Sequence, residues 1–187
     1  MLSPSEAERH GLLQLARHAI VEAVSRGELP ENIPRDGIFV ERRGVFVTVH
    51  VRGELRGCIG VVEDNEPLGE AIVRCAASAA RNDTRFAPVR VEELGDLEIE
   101  ISLLSTLTPI TVEEIELGRH GLVVSQGERR GLLLPQVAPE HGFTKEQFLD
   151  ETCRKAGLPR GAWQSPATSI FGFICDVFSD GKKAAVQ

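Results

Sequence analysis

The six residues Leu55-Arg56-Gly57-Cys58-Ile59-Gly60 bring together a thiol, a guanidinium and two glycines. A cysteine beside a fixed positive charge favours the thiolate, the form that acts as a nucleophile. Glycine gives a strand no packing surface, so Gly57 and Gly60 mark a bulge or a close approach by backbone or ligand. The chemistry this suggests is covalent. Cys58 would attack, or accept an acyl, phosphoryl or sulfur group; Arg56 would hold an anion; Gly57 would leave room for the ligand. The competing reading is structural, because cysteine is among the most buried residue types and Cys58 would then fill a sheet.

Two strands must position these groups. Val45 to Val51 alternates, with Val45, Val47, Val49 and Val51 on one face and Phe46, Thr48 and His50 on the other. Arg52-Gly53-Glu54 reads as the turn into a second strand, in which Arg56, Cys58 and Gly60 oppose the aliphatic face. A hairpin with its aliphatic faces aligned gathers Thr48, His50, Arg56 and Cys58 on one side. A one-residue slip or bulge would separate them. His50 is then the candidate base. A third strand, Leu97 to Leu104, carries Glu98, Glu100 and Ser102 on its polar face. Such carboxylates ordinarily face water. Beside the Arg56/Cys58 strand they would meet Arg56 or His50, with Glu100 as acid/base or orienting group and Glu98 as a ligand contact.

Two further side chains belong to loops. In Asn82-Asp83-Thr84-Arg85-Phe86-Ala87-Pro88-Val89, Asp83 can bond backbone or Arg85, and Phe86 can plug the loop onto the core. Arg85 is thus either half of a structural clamp or a cation at the site rim. Gln136 follows Pro135, which ends a strand, and a side chain there often points into a cleft. The candidate catalytic set is Cys58, His50 and Glu100; the candidate substrate-binding set is Arg56, Gly57, Glu98, Arg85 and Gln136. No metal set, protease-like triad or phosphate-binding glycine loop is legible, and no cofactor can be named.

The segment Leu55 to Gly60 resembles the signature of the AMMECR domain, the protein A component of the AmmeMemoRadiSam system. Asn82 to Val89, Leu97 to Ser102 and Gly131 to Ala138 are similar to that family in the same order, and the likeness runs over nearly the whole chain. The resemblance implies an α+β fold with a curved, mostly antiparallel sheet, helices packed around it, and two lobes with a cleft. It implies one AMMECR-like domain over residues 1–180 and a role in a modification pathway of RNA, a nucleotide or a small molecule. Memo-type and radical SAM proteins are the partners it implies. Phe171 stands where the family pattern leads one to expect Tyr, which removes a hydroxyl.

The remaining elements follow from periodicity. Ser3 or Ser5 caps a helix ended by Gly27, with an apolar stripe from Leu12 to Val24. Ile38-Phe39-Val40 reads as a short strand or a lead-in to one. Pro67 opens a second helix whose inner stripe is Leu68, Ala71, Ile72, Cys75, Ala76 and Ala79. Residues 121–125 and 131–135 bracket a second hairpin, Thr144 and Gln147 form a capping box, and residues 170–178 read as one final strand. Residues 181–187 read as a disordered tail.

Composition bounds the function. At net charge −7, the 187-residue chain has no general electrostatic grip on nucleic acid. RNA binding would need a local patch, for which Arg42-Arg43, Arg129-Arg130 and Arg154-Lys155 are the candidates. The four cysteines, Cys58, Cys75, Cys153 and Cys175, lack the spacing of a metal clip. No basic-then-apolar leader and no long apolar run is legible, so a cytoplasmic protein with free thiols is expected. A cytoplasmic enzyme or enzyme partner is the leading expectation; a scaffold module that presents the motif to a partner is the alternative.

Overall fold

The computed structural model describes residues 3–62 and 65–181. The fold is α+β, with antiparallel strand pairing and helices packed on sheets, as expected. Its strands form two four-stranded sheets rather than one. The chain divides into two compact units: one runs to Leu104 and resumes at Asp176, and the other spans Ser105–Cys175.

In the first unit, α1 (Glu6–Arg26) starts where Ser5 and Glu8 close a reciprocal capping box. It stops where Gly27 takes a left-handed φ of 76°, a conformation glycine adopts without a Cβ penalty. Residues 37–40 form a 3₁₀ turn instead of a strand. Strands β1 (Val45–Val51) and β2 (Glu54–Val61) follow. Arg52 and Gly53 between them both have positive φ, the signature of a two-residue type I′ turn that suits the twist of a hairpin. Helix α2 (Leu68–Arg81) leads to a 3₁₀ turn at residues 91–96 and to β3 (Leu97–Leu104).

The first sheet has the order β2-β1-β3, with β8 (Cys175–Ser179) beyond β3. Helices α1 and α2 pack against each other and cover one face of this sheet. Val45, Val47, Val49, Ile99, Ile101 and Leu103 are fully buried beneath Leu12, Ala16, Ile20, Leu68 and Ile72. Burying each of these larger side chains contributes about 1.5–3 kcal/mol, so this face is the main stabilising term of the unit. The opposite face is the one that carries Cys58.

The second unit holds β4 (Thr108–Pro109), β5 (Gly121–Gln126), β6 (Arg129–Leu133), α3 (Val137–His141), α4 (Lys145–Lys155) and β7 (Ser169–Phe173). Its sheet order is β4-β7-β5-β6. Thr144 and Gln147 make the expected capping box on α4. Phe148, Leu149, Leu122 and Ile115 form its core. The run read as one last strand is divided. Ile174 falls between β7, which pairs with β5, and β8, which lies beside β3. The run from Ile170 to Phe178 is apolar on both sides of the break except at Gly172 and Asp176, so the pattern carries no mark of the change of sheet. Phe171 is on β7, opposite Val123 and Pro109. Beyond Gly181, the tail expectation lies outside the described residues.

Candidate functional site

The register of the first sheet lines up side chains in rows. Thr48 pairs with Cys58 on one side and with Glu100 on the other, so Cys58, Thr48 and Glu100 form one row across β2, β1 and β3. The neighbouring row is Gly60, Phe46 and Ser102. All six lie on the face turned away from α1 and α2, where Cys58, Thr48 and Glu100 are half-buried. Strand β3 therefore meets β1, not β2, and Thr48 stands between the thiol and the nearest carboxylate of the sheet.

Cys58 uses its backbone outward. Its amide donates to Asp83 Oδ2 at 2.9 Å, and its carbonyl accepts from Arg85 Nη2 at 2.9 Å. With those groups turned from β1, Cys58 and Thr48 form a non-hydrogen-bonded pair, the closer of the two cross-strand geometries. That closeness brings the Thr48 hydroxyl within 3.3 Å of Cys58 Sγ, to which it donates.

Asp83 and Arg85 act as one unit. Arg85 donates to both carboxylate oxygens, through Nε at 2.9 Å and Nη2 at 2.6 Å, and its own amide donates to Oδ1. Asp83 is only 7% exposed, whereas the Arg85 side chain is 60% exposed. The Arg85 hydrogen bond, assisted by the Cys58 amide and working against burial, holds the Asp83 carboxyl well below the usual range. The pair plugs the outer edge of β2, where an unpaired strand would otherwise expose its donors and acceptors. Arg85 is raised chiefly by its hydrogen bonds to Asp83. Arg85 thus ties the Asp83 clamp to the main chain of Cys58.

Arg56 departs from the expected geometry. Val49 pairs with Gly57 but His50 pairs with Leu55, so Arg56 is the extra residue of a β-bulge. Taken out of the ladder, its guanidinium donates to Glu93 at 2.6 and 3.2 Å and to the carbonyls of Ala87 and Pro88. Arg56 and Glu93 side chains are 16% and 13% exposed. This forked pair holds Glu93 at about pKa 2, chiefly through the Arg56 hydrogen bond. Four acceptors surround Arg56, so it fastens residues 87–93 to β2.

The two glycines of the motif also have packing reasons. A Cβ on Gly57 would lie 1.9 Å from the Ala79 carbonyl oxygen of α2. Gly57 faces the helix, on the other side of the sheet from Cys58. A Cβ on Gly60 would lie 2.3 Å from the Phe46 ring, which rests over it.

His50 is half-buried in the row beyond Thr48, opposite Leu55 and Glu98. Glu98 is exposed. Gln136 belongs to the second unit, where it is half-buried and precedes α3. Glu93 escaped the sequence reading because nothing in Val91-Glu92-Glu93 distinguishes one carboxylate from the next. Cys75 and Cys153 are fully buried on helices, and burial pushes the Cys75 thiol up to about 11. Among the described residues no cluster of His, Cys, Asp and Glu is placed to hold a metal, and no helix is long and apolar enough to cross a membrane.

Comparison with known proteins gives this geometry a context. A protein of Methanothermobacter thermautotrophicus is 43% identical over 186 residues, covering 94% of this chain and 96% of the relative. Protein MK0488 of Methanopyrus kandleri is 44% identical, covering 90% of this chain and 86% of its own length. The crystal structure of the uncharacterised protein PH0010 from Pyrococcus horikoshii superposes with a TM-score of 0.80 at 39% identity, over 90% of this chain and 89% of that one. The model of the AMMECR1 family matches residues 13–178, which contain both the Cys58 strand and the Asp83–Arg85 clamp. The chain belongs to the AMMECR1 family.

Proposed function

We propose that the polar face of the first sheet is a reaction surface and that Cys58 is its nucleophile. The observation that carries this reading is the placement of the thiol: half-buried on the polar face, 3.3 Å from the Thr48 hydroxyl, with its backbone fixed on both sides by Asp83 and Arg85. A nucleophile held by its own main chain approaches an electrophile in one orientation, which lowers the entropic part of the barrier. The sulfur forms the new bond to carbon, phosphorus or sulfur of the substrate, and the leaving group departs with the displaced electron pair. The thiol proton passes to a base on the same face, for which Glu100, in the row of Cys58, and His50, in the next, are the candidates.

Arg85 is the ligand-binding cation of this reading. Its side chain is largely exposed and bonds the Cys58 carbonyl, whereas Arg56, fully engaged with Glu93, serves as a positioning residue. Glu98 borders the face from β3. Gly57 keeps α2 close behind β2, and Gln136 is a candidate ligand contact within the second unit alone. The likeness to protein A of the AmmeMemoRadiSam system supports a cytoplasmic modification pathway with Memo-type and radical SAM partners.

One observation favours a second reading, a non-catalytic binding module. Gly57, Gly60 and Arg56 each have a packing role, so much of the motif is explained without chemistry. The two readings separate in one experiment. Cys58→Ser and Arg85→Gln are expressed in a host lacking the native protein, with folding checked by thermal denaturation. The reaction-surface reading expects a folded Cys58→Ser protein that fails to complement, and a covalent adduct on Cys58 of the wild type in intact-mass spectra. Full complementation by Cys58→Ser, with partner binding lost only in surface variants, supports the module.

A further inference from the structure

The second unit carries a recess that the Cys58 face does not explain. It is a groove of about 480 Å³ between α3 and the C-terminal half of α4. Leu133, Val137 and Phe143 give it an apolar floor. The rings of His141 and Phe143 stack on each other at 5.2 Å with 18° between their planes, and both line the groove. A smaller recess of about 100 Å³ continues it and shares Phe143 and Glu151.

The charge around this groove runs against the acidic balance of the whole chain. Glu151 is gripped on one oxygen by Arg154 at 2.6 Å and on the other by Arg160 at 2.7 Å. Its carboxylate is therefore neutralised and slightly over-compensated. Asp150, which lines the smaller recess, accepts from the Gly161 amide and the Trp163 indole on Oδ1. Lys155 lines the groove, is exposed, and has no ion-pair partner among the described residues. Arg154 and Lys155 thus line a groove of the size that takes a small ligand, with Arg160 on the adjoining recess, so three cations face the two carboxylates of Glu151 and Asp150.

We propose that this groove binds a small flat organic anion: an aromatic ring carrying a carboxylate or a phosphate ester. The ring lies on the apolar floor against the His141–Phe143 pair, where stacking favours an offset flat surface. The anion meets Lys155 and the outer guanidinium edges of Arg154 and Arg160, which remain partly open to solvent. The proposal concerns the second unit alone and does not depend on the chemistry of Cys58.

The test is a titration of the full chain followed by backbone amide resonances, with naphthoate and naphthyl phosphate as probes and neutral naphthamide as control. Saturable shifts confined to residues 133–160 are expected, with naphthoate or naphthyl phosphate binding about tenfold more tightly than naphthamide. The tighter of the two anions identifies carboxylate or phosphate as the preferred head. Lys155→Gln, at an exposed position that leaves the core untouched, weakens the anions about fivefold and naphthamide not at all. Val137→Phe fills the floor and weakens all three. Equal binding of naphthamide, an unchanged anion affinity in Lys155→Gln, shifts elsewhere, or no saturation up to about 10 mM overturns the proposal.

Discussion

The Asp83 carboxylate decides the conformation of the site at the scale of single residues. It is buried, it accepts from the Cys58 amide, and Arg85 is its counter-charge. Asp83→Asn loses the charge-assisted bonds while keeping the shape, and we expect a loss of about 2 kcal/mol in urea unfolding. Thiol geometry changes with it, because the β2 edge is no longer pinned. Glu93 makes a second, pH-dependent prediction. Its folded pKa of about 2 lies below its ordinary value of 4.5. A depressed carboxylate contributes its full stability above the unfolded value and loses it as pH falls through the folded one. The contribution is therefore complete above about pH 4.5 and fades between there and about pH 2. Glu93→Gln flattens the dependence of melting temperature on pH within that window; an unchanged slope contradicts the assigned pair.

Element geometry explains why the motif reads LRGCIG. Strand β2 is squeezed between α2 behind it and the 82–93 loop along its edge. Gly57 admits α2, the bulge at Arg56 sends a guanidinium sideways, and Cys58 returns to the ladder opposite Thr48. Gly57→Ala drives a methyl into the Ala79 carbonyl, so it is expected to cost about 3 kcal/mol. Gly53→Ala, at a positive φ of 79° in open space, costs about 1 kcal/mol. A thermal shift for Gly57→Ala no larger than for Gly53→Ala contradicts the packing role. Most of these elements were legible because each has one polar and one apolar face. Strands β1 and β3 and the capping box of α4 follow directly from alternation and from Thr144 and Gln147, whereas for α1 the pattern leaves Ser3 and Ser5 as alternative caps and the structure takes Ser5. The bulge was not legible: period-two counting has no term for an extra residue, so it placed Arg56 beside Cys58. Nor was the change of sheet at Ile174, since the run is apolar on both sides of it.

For the whole molecule, the antiparallel α+β class was legible, and its division into two sheets was not, since sheet membership depends on long-range pairing. The site was legible in part. Cys58, Thr48 and the Glu100 face followed from the strand pattern. That Arg85, and not Arg56, bonds the main chain of Cys58 depends on loop contacts far apart in sequence. Burial also sorts the four cysteines. Cys75 and Cys153 are fully buried, whereas Cys58 and Cys175 are half-buried. Access to a buried thiol requires local opening, so reaction order reports placement.

Rate-resolved alkylation of the native protein with iodoacetamide, each cysteine located by mass spectrometry, tests the central claim most directly. Modification of Cys58 at least about a hundredfold faster than Cys75 and Cys153 is predicted, slowed in Arg85→Gln. Cys58 reacting no faster than those two buried thiols would contradict the account.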